Sequence, residues 1–86
     1  MTDISSARVR WQCRRGMLEL DLLLLPFFDA CYAALSPALQ HTFLELLDCP
    51  DPDIYNWFLG ADLPPTHLTT LIQTLRDYHQ QQHTAT

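Results

Sequence analysis

Apolar residues recur along this chain at helical spacing. Leu20, Leu24, Phe27, Phe28, Cys31 and Leu35 keep one stripe, and Leu39, Phe43, Leu46 and Leu47 keep a second. Ile54, Trp57 and Phe58 make a short third. Leu68, Leu71, Ile72, Leu75 and Tyr78 fall at i, i+3, i+4, i+7 and i+10, a fourth. No stretch alternates apolar and polar residues long enough to form a strand. The pattern predicts an all-α fold, a small compact bundle of about five helices joined by short connections.

Turn chemistry sets the expected boundaries. A first helix runs from about Ser5 or Ser6, either of which could be the N-cap, to Arg15. Gly16 then supplies a left-handed residue to close it. A second helix starts at about Met17. If Gly16 is also its N-cap, Glu19 stands at N3, facing free N–H groups and the positive end of the dipole. Pro26 removes a backbone donor, so a kink or short break is expected there. Ser36-Pro37 and Asp51-Pro52 each read as an N-cap followed by proline at N1. Cys49-Pro50 stops one helix, Gly60 another, and the last begins at about Thr66. Past Tyr78 the chain is rich in Gln and His, and a frayed tail is expected from about residue 79.

Composition narrows the class. Eighty-six residues, 48% of them apolar, suit one helical domain over residues 1–86. With 17% charged residues, part of the surface must be apolar, a common mark of a partner site. A net charge of −5 with no lysine opposes nucleic-acid binding. The longest apolar run, Leu22 to Phe28, falls far short of the roughly 20 residues that span a bilayer. No signal peptide is visible behind the N-terminal arginines. Three separated cysteines, Cys13, Cys31 and Cys49, favour reduced thiols, with Cys31 in the core. A cytoplasmic protein without membrane insertion is expected.

Charge is unevenly placed. Arg8, Arg10, Arg14 and Arg15 are four of the five positive charges, so residues 1–15 carry a formal +3 and the remainder −8. Glycine is as sparse, with Gly16 and Gly60 the two in the chain. Arginines gathered beside Gly16 and followed by Glu19 and Asp21 suggest a recognition surface. Trp11, flanked by Arg10 and Arg14, either packs inward or forms a partly exposed anchor.

Catalytic readings are weaker. Glu19 and Asp21, two apart on a helix, point in different directions and cannot share a substrate. The arginines around Cys13 would lower its thiol pKa, yet no histidine is near in sequence to act as base. His79 and His83 have ligand spacing, but no acid in the tail completes a metal set. No glycine-rich dinucleotide fingerprint is present. No enzyme activity, metal site or tightly bound cofactor is expected.

Arg15-Gly16-Met17-Leu18-Glu19 fits an R-G-x-x-E signature. Around it stand Arg8, Trp11, Cys13, Arg14 and Asp21, followed by Pro26-Phe27-Phe28, Phe43 with Leu46-Leu47, Asp51-Pro52-Asp53 and Asn56-Trp57. Over roughly residues 4 to 78 the sequence resembles the SdhE family, small flavinylation factors of succinate dehydrogenase. The resemblance implies a five-helix bundle and a non-enzymatic chaperone role. Its members bind the flavoprotein subunit of succinate dehydrogenase, in some bacteria also that of fumarate reductase, and promote covalent attachment of FAD to a histidine of that partner. FAD would then belong to the partner. By position, Arg15, Gly16 and Glu19 would be the functional motif, with Arg8, Trp11, Arg14, Met17 and Asp21 on the same surface. The family has also been described as the antitoxin-like half of a toxin–antitoxin pair, CptB. An antitoxin acting through the same surface is therefore the alternative reading.

Overall fold

The computed structural model describes residues 6–84, and among these the regular elements are all helical. Helix α1 spans Ser6–Gln12, α2 Leu18–Cys31, α3 Pro37–Leu47, α4 Asp51–Leu59 and α5 Thr69–Thr84. Single 3₁₀ turns occupy Tyr32–Ala34 and Thr66–Leu68. The expected all-α bundle of five helices is the one observed.

Helix α5 packs against α2, α3 and α4, and α2 also packs against α4. Each helix turns one stripe inward: Leu20, Leu24, Phe27 and Phe28 from α2, Phe43, Leu46 and Leu47 from α3, Leu71, Ile72 and Leu75 from α5. Rings add shape to this core. Phe27 lies 6.0 Å from Phe43 and meets Tyr78 edge-on at 5.7 Å, while Phe28 stacks on Tyr32 at 4.7 Å. The short α1 joins the core through Val9, and Cys13 just past its end is buried with it, both at 0% exposure.

Several boundaries follow the local signals. Ser36 caps α3, its Oγ accepting from Leu39 N–H at 3.2 Å, with Pro37 at N1. Gly60 closes α4 at φ 83°, its N–H reaching Trp57 O at 3.2 Å while Ala61 N–H reaches Asn56 O at 2.9 Å. That pair of bonds is a Schellman motif, and it requires the left-handed conformation glycine provides.

Other boundaries differ from expectation. α1 ends at Gln12, not Arg15, and Ser6 is already helical, while Ser5 lies outside the described residues. Cys13 N–H and Arg14 N–H fold back onto Arg10 O and Trp11 O at 3.0 and 3.1 Å, tightening the last turn. Gly16 is not left-handed, because Gly60 is the positive-φ glycine. Met17, in an extended conformation, precedes α2, which moves Glu19 from N3 to N2. α2 runs through Pro26 without the break considered above. α4 is preceded by Pro50, so Asp51 is its first residue and not its N-cap. A 3₁₀ turn covers Thr66–Leu68 before α5 begins at Thr69. Cys31, expected in the core, is only half-buried, while Cys13 is fully buried.

The segment past Tyr78 continues as helix to Thr84. His79 ties it down: its Nε2–H donates to Leu23 O of α2 at 2.8 Å, and its ring meets Phe58 and Tyr78 edge-on. A carbonyl can only accept, so Nε2 carries the proton in this contact. No helix of the described residues is long and apolar enough to cross a membrane.

Candidate partner-docking surface

The turn between α1 and α2 is held from several sides. Arg15 N–H, which would have continued α1, donates instead to Asp21 Oδ1 at 2.6 Å. The charged acceptor from the first turn of α2 outcompetes a helical carbonyl, which explains why α1 stops early. The Arg15 side chain then reaches the α3–α4 corner. Its Nε donates to Asp51 Oδ1 at 2.8 Å, and its terminal nitrogens donate to Gln12 O at 3.1 Å, Leu47 O at 2.8 Å and Cys49 O at 3.0 Å.

Those partners share one property: they sit at helix ends. Gln12 O is at the C-terminus of α1, Leu47 O and Cys49 O lie at or just past the C-terminus of α3, and Asp51 opens α4. A cation suits carbonyls at a helix C-terminus, and a carboxylate suits a helix N-terminus. Arg15 thus uses four of its five N–H donors within the protein. Its side chain is 15% exposed and that of Asp51 26%. Arg15 was expected on the contact surface, and it is turned inward.

The sequence-selected residues therefore divide. Arg15 and Asp21 are committed to internal bonds, and Met17 is half-buried against the core. Arg8, Trp11, Arg14, Gly16 and Glu19 are exposed. Trp11 is 70% exposed, settling its orientation outward, and the Arg14 guanidinium lies 5.7 Å from its ring centre. Glu19 makes no ion pair among the described residues. It does not meet Arg15, whose partners are Asp21 and Asp51.

Two residues escaped the sequence reading. Leu18 and Leu22, one helical turn apart on α2, are 67% and 61% exposed. Leu20 and Leu24 fill the core from the opposite side of the same helix. α2 is apolar nearly all round, so no stripe stands out. The excess of leucine over what one buried face needs was the available signal.

Catalytic chemistry fits this surface poorly. Burial pushes the Cys13 thiol up to about 12, overriding the pull of Arg15 and Arg10 in the other direction. Sequence proximity to arginines suggested a lowered value, and desolvation wins. Burial also raises Cys31 and Cys49. Arg10 forms a bidentate pair with Asp29, at 2.8 and 3.0 Å, which braces α1 against α2. Two clefts lie elsewhere. One of about 340 Å³ is lined by Trp57, Leu63, Ile72 and Arg76, and one of about 200 Å³ by Phe27, Cys31 and Tyr78. Among the described residues no group of three His, Cys, Asp or Glu could hold a metal ion, and the His83 side chain lies outside them.

Gly16 stands apart from the other turn residues. It is exposed, its φ is not left-handed, and nothing lies within 4 Å of where a Cβ would project. Neither backbone strain nor internal packing demands glycine here.

A solved structure shares the fold, and sequence relatives identify the family. The solution structure of a UPF0350 protein superposes with a TM-score of 0.73 at 35% identity, covering 88% of this chain and 82% of that one. An FAD assembly factor SdhE of Aliivibrio fischeri is 56% identical over 54 residues, and the chain spans 63% of that relative's length. An FAD assembly factor SdhE of Vibrio vulnificus is 51% identical over 59 residues, 69% of each chain. One from Colwellia psychrerythraea is 44% identical over 73 residues, covering 84% of this chain and 80% of its own. A family model described as flavinator of succinate dehydrogenase matches residues 7–79, and it is to this family that the chain belongs.

Proposed function

We propose that this protein is a non-enzymatic assembly factor that docks on the flavoprotein subunit of succinate dehydrogenase and promotes covalent attachment of FAD to it. The same surface would serve the fumarate reductase flavoprotein where both occur, and the site of action is the cytoplasm. The observation that carries the reading is Gly16: an exposed glycine with no internal reason to be glycine, in the turn between the helices that carry the exposed Trp11 and Leu18. A partner backbone can approach such a residue closely, because it presents no Cβ.

The surrounding groups suit recognition. Trp11 is the anchor, Leu18 and Leu22 offer apolar area, Arg8 and Arg14 donate, and Glu19 accepts. Arg15, Met17 and Asp21 belong to the same unit from beneath. The protein contributes position, not a reacting group. Holding the flavoprotein in a productive geometry lowers the barrier for chemistry that occurs in the partner's own site. FAD stays with the partner. The names of the matched relatives favour this reading over an antitoxin acting through the same face.

Co-expression with the cognate flavoprotein tests it. Covalent flavin, read as fluorescence of the flavoprotein band on a denaturing gel, should rise strongly when this chain is present. Equal fluorescence with and without it would remove the proposal.

A further inference from the structure

We propose that Asp51 is a positioning residue for the docking surface, acting through Arg15 from the α3–α4 corner. The inference rests on the docking role of the α1–α2 turn. Asp51 lies 36 residues from Arg15 in sequence, and it contacts neither Trp11 nor Gly16 by any hydrogen bond or ion pair among the described residues.

The geometry explains how it acts. Arg15 immediately precedes Gly16, so whatever fixes Arg15 fixes the peptide that the partner approaches. Its backbone is pinned to α2 by Asp21 and its side chain to the α3–α4 corner. Leu47 O and Cys49 O are neutral acceptors and set direction. Asp51 is the anion in the set, and a charge-assisted bond to a mostly shielded guanidinium is about twice as strong as a neutral one. Without that carboxylate, Arg15 keeps its charge and loses its counter-charge in a site that is 15% exposed. The guanidinium then gains by turning to water, and the turn is released with it. Asp51 also has reason to stay put, since it occupies the first position of α4, where the helix dipole favours an anion.

The test separates positioning from simple stability. Binding of the cognate flavoprotein subunit would be measured by calorimetry for the wild-type chain, Asp51→Asn, Asp51→Glu, Ile54→Val and Gly16→Arg. All would be studied at a temperature where circular dichroism reports full helix. Asp51→Asn keeps an oxygen for the Arg15 Nε–H but removes the charge. Ile54→Val lightens the core of the same helix and is the stability control. Asp51→Asn should weaken binding roughly tenfold and shift the amide resonances of Arg15 and Gly16. Asp51→Glu should recover part of the affinity, and Ile54→Val should bind as the wild type. If Asp51→Asn binds like the wild type while Gly16→Arg does not bind, the positioning role is wrong and the docking surface stands. If Ile54→Val loses as much affinity as Asp51→Asn, the effect is stability alone and the proposal falls. If Gly16→Arg itself binds normally, the docking surface is misplaced and this inference goes with it.

Discussion

The chain has two glycines, and they end two turns for opposite reasons. Gly60 sits at φ 83° and carries the bonds that close α4. Gly16 lies outside the left-handed region and has empty space where a side chain would go. The first glycine is explained by the fold and the second is not. That contrast separates a glycine that the fold requires from one that it does not, without reference to any other sequence.

Substitutions at and around the two turns can break the contrast. Gly16→Arg should have the largest effect: flavoprotein binding falls below detection, while the thermal midpoint stays close to the wild-type value. A large drop in melting temperature would show that the turn was under internal constraint after all. Trp11→Ala should come next. An exposed aromatic anchor costs about 2 kcal/mol of binding when truncated, roughly 30-fold in Kd. Its urea midpoint should barely move, because surface changes stay within about 0.5 kcal/mol. Gly60→Ala should do the reverse, lowering unfolding free energy by about 1–2 kcal/mol for a left-handed alanine and leaving the affinity of the folded fraction unchanged. The smallest effect is the sharpest test of the comparison. Gly16→Ala should stabilise the protein by about 0.4–1 kcal/mol through the unfolded chain, opposite in sign to the same change at Gly60.

Local signals carried the fold a long way. Ser36-Pro37, Gly60 and the apolar stripes of α2, α3 and α5 could be read directly, because each depends on residues a few positions apart. Gly16 misled for the same reason. A glycine after an arginine-rich helix has the pattern of a C-terminal cap. The actual terminator is Asp21, reaching back from the next helix to Arg15 N–H. Cys13 misled too. Its arginine neighbours suggested a lowered pKa, whereas Val9 and Cys13 both lie in the core and burial controls the thiol. The candidate site was legible as a stretch of sequence but not as a division of labour. That Arg15 turns inward while Trp11 turns outward depends on Asp51, Leu47 and Cys49, and nothing near residue 15 encodes their arrival.

The long reach of Arg15 also has a consequence in time. Its bonds to Leu47, Cys49 and Asp51 close loops of 32, 34 and 36 residues, and contacts that distant form only after the entropy of closing those loops has been met. As the chain leaves the ribosome, the α1–α2 turn emerges before the α3–α4 corner, and it acquires its shape only after that corner has been made. A nascent or half-folded copy therefore presents the motif without its geometry. On the docking role proposed above, competence to engage a client would arrive with completion of the bundle, and immature copies would not occupy flavoprotein that they cannot help.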